Sequence, residues 1–199
     1  MKASIYTRPD KPMFIPVTRR DERRPQNEIK LLTVPEPAPV LHVSSQCFVT
    51  PPEVAERMVD YANLEPGQLV YDPEAGTGNL LQAVLTHGPV VALMGNELQQ
   101  SLVEYMRKRF AGQHITLTRG NFLEQTGLCV DRIIMNPPYS KRQAYHHVAH
   151  ARKCLADDGV IIACVPVTFQ IDGMYEIERL PPGTFAGTDV VTKIIELPA

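Results

Sequence analysis

Short apolar runs alternate with amphipathic segments along most of this chain, and that alternation is the strongest constraint on its fold. Runs at 68–72, 90–95 and 131–135 have the length and apolar character of buried strands. Each is followed by a turn and then by a segment with helical periodicity. Strands that alternate with helices in this way form a mostly parallel sheet covered on both faces. We therefore expect a doubly wound α/β fold.

The remaining segments complete a sheet of seven strands. Thr50-Pro51-Pro52-Glu53 has the pattern of a capping box with proline at the first helical position, so it predicts a helix start. The last two apolar runs have no helix between them, which predicts a C-terminal antiparallel hairpin at one edge. The other expected strands are 115–118, 159–165, 174–180 and 189–197, and the other expected helices are 79–87, 98–110 and 143–155.

Residues 1–45 differ in composition from the domain that we expect over 46–199. They are rich in proline and carry a mild excess of arginine and lysine, which predicts an irregular arm. Two interpretations stay open: a solvated extension that packs loosely on the domain, or an arm that contacts nucleic-acid phosphates or a partner chain.

Cysteine usage and hydropathy indicate the compartment. The four cysteines form no CxxC pair, so we expect no metal site and free, mostly buried thiols in a reducing cytoplasm. No apolar run approaches the roughly 18 residues that a membrane-spanning helix requires, and the N-terminus has no apolar signal segment, so we expect no membrane contact. The net charge of -2 neither indicates nor excludes a nucleic-acid partner.

A turn containing two glycines joins the first buried strand to its helix, with the sequence Tyr71-Asp72-Pro73-Glu74-Ala75-Gly76-Thr77-Gly78-Asn79-Leu80. Gly76 and Gly78 allow a tight turn and close approach of the backbone to a ligand. The third glycine of a dinucleotide site is missing, and Asp72 would repel a pyrophosphate. A carboxylate there suits a cation, such as the amino group of S-adenosylmethionine.

A second carboxylate, Glu97, ends the next strand 19 residues after Gly78. In an α/β sheet this position lies beside the first turn, where it can accept hydrogen bonds from ribose hydroxyls. The alternative is a glycine turn with a solvated glutamate and no ligand.

Asn136-Pro137-Pro138-Tyr139 follows a buried strand at its carboxyl end, where open α/β sheets bind ligands. Methylation of an aromatic amine requires localisation of a delocalised lone pair on nitrogen. The Asn136 oxygen and a rigid backbone carbonyl can accept the two amine hydrogens and favour that change. Tyr139 would stack on a flipped-out base. The alternative is a tight turn in which Asn136 caps a helix and Tyr139 packs in the core.

Together these motifs resemble those of class I methyltransferases of the amino-methylating DNA type, which have a Rossmann-like fold and use S-adenosylmethionine. Their cofactor motif is similar to Asp72-Pro73-x-x-Gly76-x-Gly78-x-Leu80, with Thr77 and Asn79 inside it, and their ribose-binding position to Asn96-Glu97. Their catalytic motif is similar to Asn136-Pro137-Pro138-Tyr139. Phe48-Val49-Thr50-Pro51-Pro52 resembles the upstream segment that holds the methionine carboxylate.

The resemblance covers residues 46–197 and includes small enzymes of phages and mobile elements, with three departures. Asn121 stands where the family has an aspartate that binds the cofactor adenine, and the resemblance implies that Phe122 stacks on that adenine. No target-recognition domain follows the core, and the helix after the fifth strand is shortened to 167–173. Selectivity would then need a separate specificity subunit or a second copy.

The resemblance implies an enzyme that methylates adenine N6 in DNA. The same chemistry on an RNA base amine or on a protein glutamine amide stays open, as does a non-catalytic module that binds cofactor or DNA and interferes with restriction. His146, His147 and His150 lack a Glu or Cys that would complete a metal set, so they are interpreted as a helix surface. Arg107-Lys108-Arg109 is interpreted as a charged helix end.

Overall fold

The computed structural model describes the backbone of residues 5–8 and 11–14, and residues 48–199 with their side chains except that of Lys141. The chain divides into two compact units, Met1–Glu36 and Pro37–Ala199. In the first unit, β1 (Ile5–Arg8) and β2 (Lys11–Phe14) pair antiparallel. These strands stand where the proline content predicted irregular structure. The rest of the arm expected over 1–45 lies outside the described residues, as does Cys47.

The second unit contains a seven-stranded sheet and four helices. The strands are β3 (Leu69–Asp72), β4 (Ala92–Glu97), β5 (Ile115–Arg119), β6 (Val130–Met135), β7 (Leu155–Pro166), β8 (Tyr175–Arg179) and β9 (Thr192–Pro198). The helices are α1 (Pro52–Tyr61), α2 (Asn79–His87), α3 (Gln100–Arg109) and α4 (Gln143–Arg152).

The sheet order is β5-β4-β3-β6-β7-β9-β8. Strands β3 to β7 run parallel, and β9 pairs antiparallel with both β7 and β8. The mostly parallel seven-stranded sheet and its C-terminal antiparallel hairpin are therefore confirmed. None of the helices in the described part of the chain has the length and apolarity needed to cross a bilayer.

Consecutive residues of the central strands serve two different cores. Val70 packs with α1 and α2 on one face of the sheet, whereas Tyr71 packs with α4 on the other. Ile134 and Ile133 divide between the two faces in the same way. Because helices cover both faces, these strands are apolar throughout rather than alternating, which is why short apolar runs marked them in the sequence.

Two local expectations were wrong or inexact. Pro51, not Thr50, is the N-cap of α1, and no side chain caps the helix. The Thr50 hydroxyl instead accepts a hydrogen bond from Asn136, across 86 residues of sequence. Helix α4 ends at Arg152 because β7 already begins at Leu155.

Gly78 is the N-cap of α2 and illustrates how tightly the domain is packed there. Its φ is +83°, and a Cβ at this position would lie 2.6 Å from the Phe110 ring. Gly112 has nearly the same φ, +82°, but a Cβ there would meet nothing within 4 Å. Substitution of the two glycines therefore distinguishes the cost of backbone strain, present at both positions, from the cost of steric overlap, present only at Gly78.

We expect Gly112→Ala to lower the free energy of unfolding by about 1–2 kcal/mol, from left-handed strain alone. Gly78→Ala should lower it by about 3 kcal/mol or more, because overlap with Phe110 is added to the same strain. Denaturant unfolding of both variants measures the difference. Equal losses would show that Phe110 moves aside freely and that the packing is looser than described.

Candidate functional site

Three loops meet at the carboxyl ends of β3, β4 and β6, where the strand order reverses direction. Chain order runs outward from β3 through β4 to β5 on one side, and through β6 to β7 on the other. Helices on opposite faces leave a crevice at such a reversal, which is where open α/β sheets bind ligands. Asp72, Glu97 and Asn136 lie at the ends of these three strands.

The glycine turn after β3 is held in shape by the end of β4. Gly76 N donates to Glu97 Oε2 at 2.9 Å, and Ala75 N donates to the backbone oxygen of Asn96 at 2.8 Å. Glu97 Oε1 accepts from Gln99 N at 2.8 Å. Glu97 is thus buried and structural as well as available to a ligand, since each carboxylate oxygen can accept a second hydrogen bond.

Asn96 connects all the loops on this side of the sheet. Its Nδ2 donates to the backbone oxygens of Pro73 and Gly120, both at 3.0 Å. Its Oδ1 accepts from Thr118 Oγ1 at 3.0 Å and from Gln125 Nε2 at 2.9 Å. The side chain is buried with its hydrogen-bonding capacity used, so it fixes the relative positions of the loops.

Arg109 holds the outer side of the glycine turn. Its guanidinium donates to the Thr77 carbonyl at 2.7 Å and to Asn79 Oδ1 at 2.8 Å. Asn79 Nδ2 in turn donates to the Thr50 carbonyl at 2.8 Å. Arg109 lies in the basic last turn of α3, as expected, and in addition holds the glycine turn, whereas Arg107 is exposed.

The turn buries two carboxyl groups that each leave one oxygen without a hydrogen-bond partner among the described residues. Asp72 Oδ1 accepts from Glu74 N at 3.2 Å, but Asp72 Oδ2 has no partner. Glu74 Oε1 lies 2.5 Å from His147 Nδ1, while its Oε2 is buried and unpartnered. Burial raises the pKa of Asp72 well above its usual range, and burial also raises the pKa of Glu74, against the opposing effect of His147. Unpartnered buried carboxyl oxygens fit a cationic ligand.

Asn136 joins the turn after β6 to the segment before α1. Its Nδ2 donates to the Phe48 carbonyl and to Thr50 Oγ1, both at 3.1 Å. Its Oδ1 accepts from Tyr139 Oη at 2.5 Å. The amide orientation is therefore determined, and the acceptor oxygen is engaged by a group of the same turn.

Tyr139 lies between aromatic neighbours. Phe48 stacks on its ring at a centroid distance of 5.6 Å, and Phe185 contacts it edge-on at 6.5 Å. Burial raises the pKa of the Tyr139 phenol well above its usual value, so the group stays protonated. Phe48 occupies one face of the ring, so a base could stack on Tyr139 only from the other face or after Phe48 moves, and that stacking stays a prediction.

Two cavities border the three loops. The smaller, of about 20 Å³, lies over the glycine turn, and the larger, of about 460 Å³, lies beside Glu97. Among the sequence-predicted residues, the smaller is lined by Phe48, Thr50, Asp72, Gly76, Thr77, Asn79 and Asn136. The larger is lined by Pro73, Glu97, Asn121, Phe122, Asn136 and Pro138. Gly78, Pro137 and Tyr139 line neither cavity.

The roles expected of Asn121 and Phe122 are modified by their contacts. Asn121 Oδ1 accepts from Leu123 N at 3.2 Å and its Nδ2 donates to Glu124 at 2.9 Å. Phe122 is only 2% exposed and packs edge-on against His150 at 4.8 Å, so little of its ring can contact a ligand.

Leu98 and Leu123 were missed by the sequence interpretation. Both line the larger cavity, with 62% and 39% of their surface exposed. Leu98 follows Glu97 directly, so its position at a strand end was the signal that could have identified it. Exposed apolar side chains at a cavity mouth provide surface for a flat ring.

His147 was interpreted as helix surface, and that interpretation was wrong. It is buried, lines the larger cavity and pairs with Glu74. The signal was present in the spacing, because His147 shares the i, i+3, i+4, i+7 positions of the apolar face with Ala144, Val148 and Ala151.

Replacement of Arg109 tests its hold on the glycine turn. We expect Arg109→Met to lower the free energy of unfolding by about 1–3 kcal/mol, because two charge-assisted hydrogen bonds are lost while the side-chain stem is kept. The matched control, Arg107→Met on the same helix, should change it by less than about 0.5 kcal/mol. Denaturant unfolding measures both free energies. Equal effects of the two variants would mean that the Arg109 contacts contribute nothing to stability.

Replacement of Asp72 tests the cost of its buried charge. We expect Asp72→Asn to raise the free energy of unfolding at neutral pH by about 1–3 kcal/mol, because a neutral amide costs less to bury than a carboxylate. The native pKa is raised, so the wild type regains stability as pH falls through it, and the penalty is gone below the ordinary value of 3.8. The difference between the two proteins should therefore shrink on acidification. A difference in unfolding free energy that stays constant with pH would contradict the conclusion that Asp72 is buried with a raised pKa.

The chain is similar to methyltransferases that act on different acceptors. It is 25% identical over 149 residues to modification methylase CviBIII of Paramecium bursaria Chlorella virus NC1A, covering 65% of this chain and 40% of that protein. It is 32% identical over 93 residues to ribosomal RNA small subunit methyltransferase A of Parasynechococcus marenigrum, covering 44% and 30%. It is 25% identical over 160 residues to release factor glutamine methyltransferase of Mycobacterium leprae, covering 76% and 50%. The chain thus spans half or less of each relative, and no family model matches it.

Solved structures show the same fold. The methyltransferase subunit of a type I restriction-modification system from Streptococcus thermophilus superposes with a TM-score of 0.64 at 23% identity, covering 75% of this chain and 44% of that one. A dimethyladenosine transferase from Plasmodium falciparum gives a TM-score of 0.61 at 15% identity, covering 77% and 64%. The chain therefore has the fold of these S-adenosylmethionine-dependent methyltransferases and is similar in sequence to several of them.

Proposed function

We propose that this domain binds S-adenosylmethionine across the two cavities and methylates a planar exocyclic amino nitrogen, with adenine N6 of DNA as the leading acceptor. The observation that carries the proposal is the place of Asn136. It follows β6 directly, lines both cavities, and is fixed by hydrogen bonds to Phe48 and Thr50. A hydrogen-bond acceptor is thereby held where a cofactor and an amine would meet.

The residues present offer partners to both ends of the cofactor, and the smaller cavity, at about 20 Å³, must widen to admit the methionine end. Asp72 Oδ2, buried and without a partner, suits the methionine amino group in the smaller cavity. Glu97 suits the ribose hydroxyls in the larger cavity. Leu98 and Leu123 offer apolar surface to the adenine ring, and Asn121 offers a polar atom at the same mouth. When bound, the cofactor supplies a methyl group already activated on a cationic sulfur.

The chain's own task is to position the amine and to change its geometry. Asn136 Oδ1 can accept one amine hydrogen, and the carbonyls of the double proline, held by fixed φ angles, can accept the other. Both contacts favour a tetrahedral nitrogen whose lone pair points at the methyl donor. In the described conformation Tyr139 Oη donates to Asn136 Oδ1, so an incoming amine must replace the phenol.

DNA is proposed as the leading acceptor because the proteins similar to the chain include a modification methylase and methyltransferase subunits of type I restriction-modification systems. The similarity to an rRNA methyltransferase and to a glutamine methyltransferase keeps an RNA base amine and a protein amide as second candidates. Each of these acceptors is a planar, delocalised nitrogen, so the same contacts of Asn136 would serve all three. A separate specificity subunit or a second copy of the chain would supply sequence selectivity for DNA.

Replacement of Asn136 tests the proposal. We expect Asn136→Ala to lower methyl transfer by a factor of about 100 or more, because the acceptor that polarises the amine is lost. The protein is incubated with methyl-labelled cofactor and DNA, RNA or release factor, and the labelled nucleoside or amino acid is then identified. We expect N6-methyladenine in DNA, with cofactor affinity of the variant reduced much less than activity.

A folding control accompanies this experiment because Asn136 also braces Phe48 and Thr50. The thermal transition of the variant should fall, because three side-chain hydrogen bonds are lost, so activity is compared at a temperature where both proteins are folded. Label in RNA or in glutamine would replace the DNA assignment. Unchanged biological activity of Asn136→Ala would favour a module that binds cofactor or DNA without turnover.

A further inference from the structure

Two residues, Glu74 and Asn136, line both cavities. The smaller cavity contains the residues suited to the methionine end of the cofactor, and the larger contains those suited to the nucleoside. The sulfur atom joins these two halves of the molecule, so it must lie where the cavities meet. Glu74 and Asn136 are therefore the side chains best placed beside the sulfur, and Asn136 already has a role toward the acceptor amine.

Glu74 is an unusual group to find at this junction. Its side chain is 17% exposed, its Oε1 pairs with His147, and its Oε2 is buried without a hydrogen-bond partner among the described residues. A buried carboxylate oxygen without a partner costs free energy unless a donor or a positive charge compensates it. Nothing in the glycine turn itself supplies that charge, whereas a sulfonium would.

We propose that the Glu74 carboxylate, held in place by His147, faces the charged sulfur of the cofactor and makes the protein prefer the cationic cofactor to its neutral thioether product. The inference rests on the proposed function, since it assumes that the cofactor occupies both cavities. Its chemical basis is a difference of one unit charge, because transfer of the methyl group leaves the sulfur uncharged. A nearby carboxylate therefore distinguishes cofactor from product with the rest of the molecule unchanged.

His147 acts as a positioning residue. It lies on the buried face of α4, and its Nδ1 contacts Glu74 Oε1 at 2.5 Å. The ring is also held against Phe122 at a centroid distance of 6.2 Å. With one oxygen paired to a residue of α4, the Glu74 carboxyl is held beside the two cavities that this residue lines.

The surrounding charges set the sign of the pH dependence. Glu74 is faced by Asp72 on its own loop, by Glu97 at the end of β4 and by His147 on α4. Acidification protonates the Glu74 carboxyl, whose pKa is raised by burial, and the loss of its charge weakens attraction for a sulfonium. The preference for cofactor over product should therefore decline as pH falls.

The experiment measures binding alone, by titration calorimetry of the full chain with S-adenosylmethionine and separately with S-adenosylhomocysteine. We expect Glu74→Gln to weaken the cofactor about tenfold while changing the product much less, because only the cofactor loses a charge partner. Glu104→Gln, an exposed glutamate on α3, is the matched control and should leave both affinities unchanged. His147→Leu should lower the preference as Glu74→Gln does, and His147→Asn, which keeps a donor near the Nδ1 position, should restore most of it.

The possible outcomes separate this inference from the function on which it rests. Failure of the wild-type protein to bind either compound would overturn the proposed function. Binding of both compounds with the same ratio in wild type and Glu74→Gln would overturn only the role of Glu74. Equal losses of affinity for S-adenosylmethionine and for S-adenosylhomocysteine would show that Glu74 shapes the cavity and does not distinguish the two compounds by charge. That result would also overturn the inference.

Discussion

The hydrogen bonds that the end of β4 makes to the glycine turn after β3 are the constraint on which the site depends. Gly76 N donates to Glu97, Ala75 N donates to the Asn96 backbone, and the Asn96 side chain binds Pro73. Within the turn, Gly78 N donates to the Ala75 oxygen and Glu74 N donates to Asp72 Oδ1. The partners from the neighbouring strand add to these contacts and fix the position of the turn beside the smaller cavity.

A turn that is held so firmly can bury charge that a looser loop would expose. Asp72 and Glu74 are both withdrawn from solvent, and both have raised pKa values because of that burial. Burial of these two carboxyl groups lowers the free energy of unfolding, and they are the same groups that suit a cationic ligand. Binding of a cation would recover it, so the free domain and the liganded domain should differ most in stability at this turn.

The fold followed from the sequence because the central strands are buried on both faces, and continuous apolar runs mark such strands without any knowledge of their partners. The glycine turn and the Asn136–Tyr139 segment were located for the same reason, since each directly follows a strand. Side-chain pairs between distant segments did not follow. The contact of Arg109 with Thr77 spans 32 residues and that of Glu74 with His147 joins a loop to α4, and neither residue type nor local spacing identifies its partner. Thr50 shows the converse, because a local capping pattern was overridden by a tertiary hydrogen bond to Asn136.

The engagement of Asn136 by Tyr139 has a consequence for how an acceptor enters. The phenol occupies the acceptor oxygen, and Phe48 covers one face of the tyrosine ring. On the proposed function, the acceptor amine must take over the Asn136 hydrogen bond, and a base that is to stack on the covered face of Tyr139 must displace Phe48. Phe48 belongs to the same segment as Thr50, whose carbonyl is bound by Asn79 at the start of α2. Movement of this segment would therefore shift the glycine turn through the Asn79 hydrogen bond. A cofactor bound at the turn would, by the same contact, change which positions the segment prefers. Because the same hydrogen-bonded residues connect the cofactor turn with the acceptor side, the two ligands should bind with mutual dependence rather than independently.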